Sequence, residues 1–160
     1  MSLLRPRPVL NMQGLELNMQ ELLTWAPLKH RETLQTEDAG RAAEWLQQQF
    51  GGKFPTINLS LLGARLVGAQ AFLGERRALL SYRGPQGERV TLVIFPDAPR
   101  VPTDLRSMTY RGRAFRVLEA ASSRGTLLAW EAEGRTFVVA GPLSPDALLP
   151  YAHEIDRNCQ

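Results

Sequence analysis

Between His30 and Pro96 the chain runs from a short helix signal through a Phe-Pro joint into three consecutive strand signals, and that order restricts the fold more than any other feature. The helix signal is bounded at both ends. Thr36 is placed to cap the N-terminus, Glu37 and Asp38 put negative charge into the first turn, and Gly51-Gly52 supplies a left-handed stop. Between these bounds Ala39, Ala42, Ala43, Leu46 and Phe50 recur at helical spacing, giving one apolar stripe with Trp45 on its edge. A stripe of such small residues lies closely on something flat. The strands that follow provide it.

Residues 64–71, 77–83 and 89–95 have strand character and are separated by Gly74 and by Gly84-Pro85-Gln86-Gly87. A second set follows at residues 114–121, 126–132 and 135–140, with turns at Ser122-Ser123-Arg124-Gly125 and Glu133-Gly134. Leu80 and Tyr82 alternate with Leu79, Ser81 and Arg83, while Phe137 and Val139 alternate with Thr136 and Val138, so at least one face is apolar. Ser144-Pro145-Asp146 opens a closing helix that carries Leu148, Leu149 and Ala152. Pro150 lacks the amide a helix interior requires, which predicts a kink or two short turns there. The expected fold class is therefore α+β. It has an antiparallel sheet of about six strands in two meander-like sets, a helix before the sheet packed on one face, and a short C-terminal helix.

Residues 1–28 differ in kind from the single α+β domain expected over 29–157 and from the short tail at 158–160. They contain a tandem duplication, VLNMQGL followed by ELNMQEL, with a period of seven. Met12, Leu15, Met19 and Leu22 thereby take the a and d positions of a heptad, and Ala26 continues the series before Pro27 stops it. An isolated helix of this length is marginal in water, so its apolar seam needs a cover. Docking on its own domain is the preferred reading, with a homodimer through the leader as the alternative. Light scattering on the intact chain and on a deletion starting at Leu28 separates the two. A dimer that becomes a folded monomer on deletion would overturn self-docking.

The 160 residues carry 19 Lys plus Arg against 16 Asp plus Glu, a net charge of +3, and 44% are hydrophobic. These values suit a globular domain, and no run approaches the roughly 18 apolar residues that cross a bilayer. The basic residues are scattered, with one small cluster at Arg111, Arg113 and Arg116. The basic stripe with interleaved aromatics that would point to nucleic acid is missing. The N-terminal stretch has no uninterrupted apolar region of the signal-peptide kind.

Catalytic patterns are equally sparse. With two histidines and one cysteine, Cys159, the chain has few ligands for a metal centre. His153-Glu154 starts like a zincin helix but has no second histidine four residues on, and His30 has no sequence partner that would make it a base. Nucleophile-elbow, phosphate-loop and dinucleotide patterns do not occur. The expectation is a chain with no catalytic residues, no metal and no cofactor. Dialysed protein should hold no stoichiometric zinc, and elemental analysis finding one metal per chain would overturn that.

One ordered set of residues resembles a known family. His30-Arg31 precedes a strand, Trp45-Leu46 lies in the following helix, and Phe54-Pro55 stands ahead of Asn58-Leu59. Next come Gly63-Ala64-Arg65-Leu66-Val67-Gly68-Ala69, Ala78-Leu79-Leu80-Ser81-Tyr82 and Val90-Thr91-Leu92-Val93-Ile94-Phe95-Pro96. Trp130, Gly134, Phe137-Val138-Val139-Ala140-Gly141 and Leu143-Ser144 complete the pattern. Over about residues 29 to 156 this resembles the extracytoplasmic domain of bacterial transmembrane anti-sigma factors. In that family a cytoplasmic HxxxCxxC zinc segment binds the sigma factor, a transmembrane helix follows, and the outer domain regulates release. The sequence here contains neither the zinc motif nor the membrane helix. The resemblance therefore implies the regulatory outer domain alone, which would not sequester a sigma factor by itself. The location implied is extracytoplasmic if the chain is part of a membrane protein, and cytoplasmic if it stands alone.

The function expected is a non-enzymatic sensor or interaction domain with a protein partner in a sigma-factor pathway. The alternative is a soluble carrier that holds an apolar ligand between a curved sheet and its helix. Candidate contact residues are Met12, Leu15, Met19 and Leu22 in the leader, and Trp45, Phe54, Tyr82 and Trp130 in the domain. Core packing is the competing role for the four aromatics, because large rings dominate cores.

Overall fold

The computed structural model describes residues 8–11, 32–119 and 125–159. The leader seam at Met12, Leu15, Met19 and Leu22, the His30-Arg31 pair and most of the Ser122 turn lie outside the described residues. Eight strands form one antiparallel sheet: β1 (Glu32–Gln35), β2 (Arg65–Phe72), β3 (Arg77–Arg83), β4 (Arg89–Phe95), β5 (Arg106–Tyr110), β6 (Arg113–Glu119), β7 (Thr126–Ala132) and β8 (Arg135–Gly141). Among the described residues two α-helices accompany them, α1 (Ala39–Phe50) between β1 and β2, and α2 (Pro145–Asn158) after β8. The α+β class and the antiparallel sheet match expectation. The strand count does not, because β1 and β5 add two strands to the expected six.

The strand order is β1-β2-β3-β4-β8-β7-β6-β5. Each half is a four-strand meander, and the last strands of the halves, β4 and β8, pair antiparallel at the centre. The order reads the same from both edges, as a two-fold axis through the sheet between β4 and β8 would produce. The two added strands are the outermost ones, each with a single neighbour.

Tight turns set the register. The β5–β6 and β7–β8 hairpins turn through Arg111-Gly112 and Glu133-Gly134, and all four residues have positive φ, between 49° and 83°. That is the backbone of a type I′ turn, whose twist matches the strands it joins. In β2 the register slips between Leu66 and Gly68. The carbonyl of the residue left over, Val67, accepts a hydrogen bond from the Thr36 amide, which ties the bulge to the start of α1.

The cap of α1 is Asp38, two residues beyond the expected Thr36. Its carboxylate accepts hydrogen bonds from the amides of Gly40 at 2.9 Å and Arg41 at 3.2 Å. Thr36 instead accepts from the Asp38 amide, a local turn that competes with capping. Asp38→Ala is expected to cost about 0.5–2 kcal/mol in denaturant unfolding, with Thr36→Ala costing less. The stop at Gly51 is as expected, with φ at 77° and its amide donating to the Gln47 carbonyl. In α2, Ser144 caps through its hydroxyl. The helix runs unbroken through Pro150, so two separate turns do not form. Pro150, inside the helix, leaves the Asp146 carbonyl without the amide partner it would otherwise have.

Both helices lie on one face of the sheet. Ala42, Ala43 and Leu46 of α1, with Leu148, Leu149, Ala152 and Ile155 of α2, share a buried cluster with Leu80, Tyr82, Leu92, Ile94, Phe137 and Val139. The opposite face is apolar at its centre as well. Leu79, Val93, Leu127, Ala129, Val138 and Ala140 are all buried there, together with Leu10 and Val101. Residues 8–11 reach that face through paired backbone bonds between Leu10 and Arg100 and between Arg100 and Pro8. The sheet is therefore buried on both faces at its middle, which explains why β4 and β8 read as nearly continuous apolar runs.

Candidate functional site

The four aromatic candidates of the domain belong to the helix-side core. Tyr82 is 1% exposed, and its hydroxyl donates to the Ile57 carbonyl at 2.8 Å. Burial pushes its ionisation far above the usual tyrosine range, so it serves as a neutral strut. Trp130 is buried, stacked on Phe137 at 5.5 Å and edge-on to Phe115 at 5.2 Å. Phe54 packs on Phe50 at 5.4 Å and lies under the Arg135 guanidinium. Trp45 is half-buried at the margin of the core. None of these ring contacts joins one of the four to another, so the structure does not gather them into one surface.

A different surface is built where β2 begins. Residues 60–62 form a single 3₁₀ turn that closes on Gly63, in left-handed conformation with φ at 73°. The segment before it is anchored across the domain. The Asn58 amide donates to the Asn158 side chain at 3.3 Å, and that same side chain donates to the Glu154 carbonyl at 2.7 Å. The Asn58 carboxamide in turn accepts from the Ser60 amide, an Asx-type turn that fixes the backbone leading into the 3₁₀ turn. Leu59 thereby points inward, buried at 1%, and Leu61 points outward, 76% exposed.

Beside this turn lies a cleft of about 270 Å³, walled by Ala39 at the start of α1, Ile57, Leu59, Leu66 and Tyr82, with Glu37, Ser60 and Arg65 among the polar groups that line it. A lone exposed leucine is ordinary on any protein surface. Here the leucine stands next to a partly apolar cleft on a turn held at both ends. Sequence reading named Trp45, Phe54, Tyr82 and Trp130 as the domain's contacts but passed over Leu61. The available signal was an apolar Leu61-Leu62 pair between Ser60 and Gly63, too short to be a strand and bounded by turn residues.

Among the described residues no three His, Cys, Asp or Glu side chains converge as a metal would require. The Cys159 thiol is half-buried, and burial followed by the nearby Asp156 carboxylate pushes its pKa up to about 12. It therefore stays protonated at neutral pH and is a poor nucleophile. His153 sits edge-on to Tyr110 at 5.6 Å. The sequence cluster Arg111, Arg113 and Arg116 is dispersed. Arg111 lies over the Tyr110 ring, Arg113 pairs with Asp156, and Arg116 donates to the carbonyls of Thr103 and Leu105. No described helix is long and apolar enough to cross a membrane. No protein-family model, curated protein or solved structure matches this chain.

Proposed function

We propose that this chain is a non-catalytic regulatory domain that works by binding, and that its contact surface is the Leu61 turn with the cleft beside it. The observation that carries this reading is an exposed leucine on a pinned turn, next to a cleft with apolar walls. It agrees with the resemblance to the outer domain of membrane-bound anti-sigma factors, in which binding of a protein or ligand controls sigma-factor release. The carrier alternative needs a void between sheet and helix. The sheet-facing residues of α1 argue against one, since Ala42 and Leu46 are each 1% exposed and packed into the shared cluster.

The test is transcription from promoters of an extracytoplasmic-function sigma factor encoded beside this protein. Leu61→Asp should alter that transcription while leaving the thermal midpoint of the purified domain in place, because the side chain it replaces is already in water. Transcription that responds neither to Leu61→Asp nor to removal of residues 32–159 would overturn the proposal.

A further inference from the structure

Three arginines stand side by side across one end of the sheet. Register pairs Arg65 of β2 with Arg83 of β3, and Arg83 with Arg89 of β4. Directly paired residues share a face, and neighbouring strands lie about 4.8 Å apart, so the three side chains leave the sheet in one row about 10 Å long. Arg83 alternates with the core residue Tyr82, which places the row on the face opposite the helices.

Like charges placed directly opposite one another destabilise a strand pair, and no described carboxylate forms an ion pair with them. Arg76, Arg77, Arg106, Arg113 and Arg157 each have a carboxylate partner within 3.4 Å. Among the described residues Arg65, Arg83 and Arg89 have none. The acid closest in sequence, Glu88, is engaged elsewhere, accepting from the Gln86 amide and the Tyr151 hydroxyl. Among the described residues the side chains of the row make only two long bonds, from Arg83 to the Gly87 carbonyl at 3.4 Å and from Arg89 to the Ser81 hydroxyl at 3.5 Å. Burial first, and the Arg83 charge second, lower the pKa of Arg89, as expected for a cation held beside another without a counterion.

The row also borders a concavity of about 390 Å³. Arg65 and Arg83 form its charged wall, and Gly63, Gly84, Pro85 and Gly87 form the rest. Glycine and proline present no long side chain to fill it, and no acid lines it.

We propose that the Arg65–Arg83–Arg89 row with its concavity is a binding site for a phosphate-bearing ligand. Guanidinium groups take phosphate oxygens in a planar fork, and one phosphate concentrates close to two negative charges and several acceptors in a small volume. A carboxylate brings one charge, so neutralising this row would need several carboxylates spaced along a partner. A concave pocket with small walls suits the compact group better. The site shares Arg65 with the Leu61 cleft, but its test rests on Arg83 and Arg89, which do not line that cleft, so its failure would leave the regulatory reading untouched.

The experiment is calorimetric titration of the intact chain with inorganic pyrophosphate at low and at physiological salt. Saturable binding is expected, weakening by about tenfold or more when two guanidinium contacts are removed in Arg83→Gln/Arg89→Gln. Arg106→Gln, which breaks a pair with Glu119 elsewhere, should leave it unchanged. Pyrophosphate should raise the thermal midpoint of the wild-type chain but not of the double variant, whose own midpoint should equal or exceed wild type because a like-charge row has been relieved. Vesicles of phosphatidylcholine with and without phosphatidate separate the sources. Row-dependent binding to phosphatidate vesicles assigns a lipid headgroup, and row-dependent binding to pyrophosphate alone assigns a soluble phosphate. Absence of saturable binding, binding unaffected by the double variant, or tighter binding of an oligoglutamate peptide would each overturn the proposal.

Discussion

Replacing Phe137 by alanine should lower the unfolding free energy by about 3–5 kcal/mol, measured as a fall in the urea midpoint at unchanged slope. Phe137 is fully buried on β8, one of the two strands that join the halves of the sheet. Its ring stacks on Trp130 at an interplanar angle of 13°, and Trp130 meets Phe115 edge-on at 84°. Removing the ring at the β8 end of this three-ring series takes away the stacking partner of Trp130 and leaves a void beside strand backbone, which cannot close in, so the cavity adds to the lost transfer energy. For a domain whose total stability is of the order of 5–15 kcal/mol, that is a large share. Phe137→Leu, which keeps most of the volume, should cost much less. A loss below about 1 kcal/mol for Phe137→Ala would mean that the ring series does not hold the central strands together.

The strands visible in the sequence are the ones whose burial is strong. β3, β4, β7 and β8 have runs of buried residues with turn residues between them, and their observed bounds lie within a residue of those expected. Of the two strands outside the expected six, β5 was missed and β1 entered only through the resemblance, as the strand that His30-Arg31 precedes, and both have little burial to show. In β1 the described side chains alternate between exposed and half-buried, and β5 has no buried position at all. Each pairs on one side only, so backbone hydrogen bonding to a neighbour holds it more than any apolar pattern of its own. The Arg111-Gly112 turn was the available clue to β5, because a two-residue loop ending in glycine before the β6 run implies a strand on its far side.

Candidate contacts were harder to read than strands, for the same reason. Periodicity identifies apolar residues but does not tell a core ring from a surface one, so Phe54, Tyr82 and Trp130 stood out through their size and proved to be buried. Leu61 differs from Leu59 only in the direction its backbone turn gives it. The arginine row was hidden further still, because Arg65, Arg83 and Arg89 become neighbours only once two hairpin registers are known. The Gly84–Gly87 turn alone would have paired Arg83 with Glu88, and it is the closure of Gly84 on Glu88 that moves the register one residue on to Arg89. The slip in β2 between Leu66 and Gly68 means that no simple count along the sequence reaches Arg65.

Leu46→Ala should cost about 2–5 kcal/mol, and the reason lies in its neighbours. The α1 stripe is made of alanines, with Ala42 at 1% and Ala43 at 5% exposure, and Leu46 is the one long side chain on it that is fully buried. Alanines let the helix approach the sheet closely, but they have no rotamers with which to fill a vacated space. The helix would have to move as a body to close the gap. Its ends resist this, since the carboxylate of Asp38 caps one and the left-handed Gly51 closes the other. The cost should therefore fall in the upper part of that range, whereas Trp45→Ala, at a half-buried position on the edge of the same helix, should cost less despite removing a larger side chain. An unchanged denaturation midpoint in Leu46→Ala, or a greater loss in Trp45→Ala, would show that α1 is held to the sheet by its margin and not by its alanine stripe.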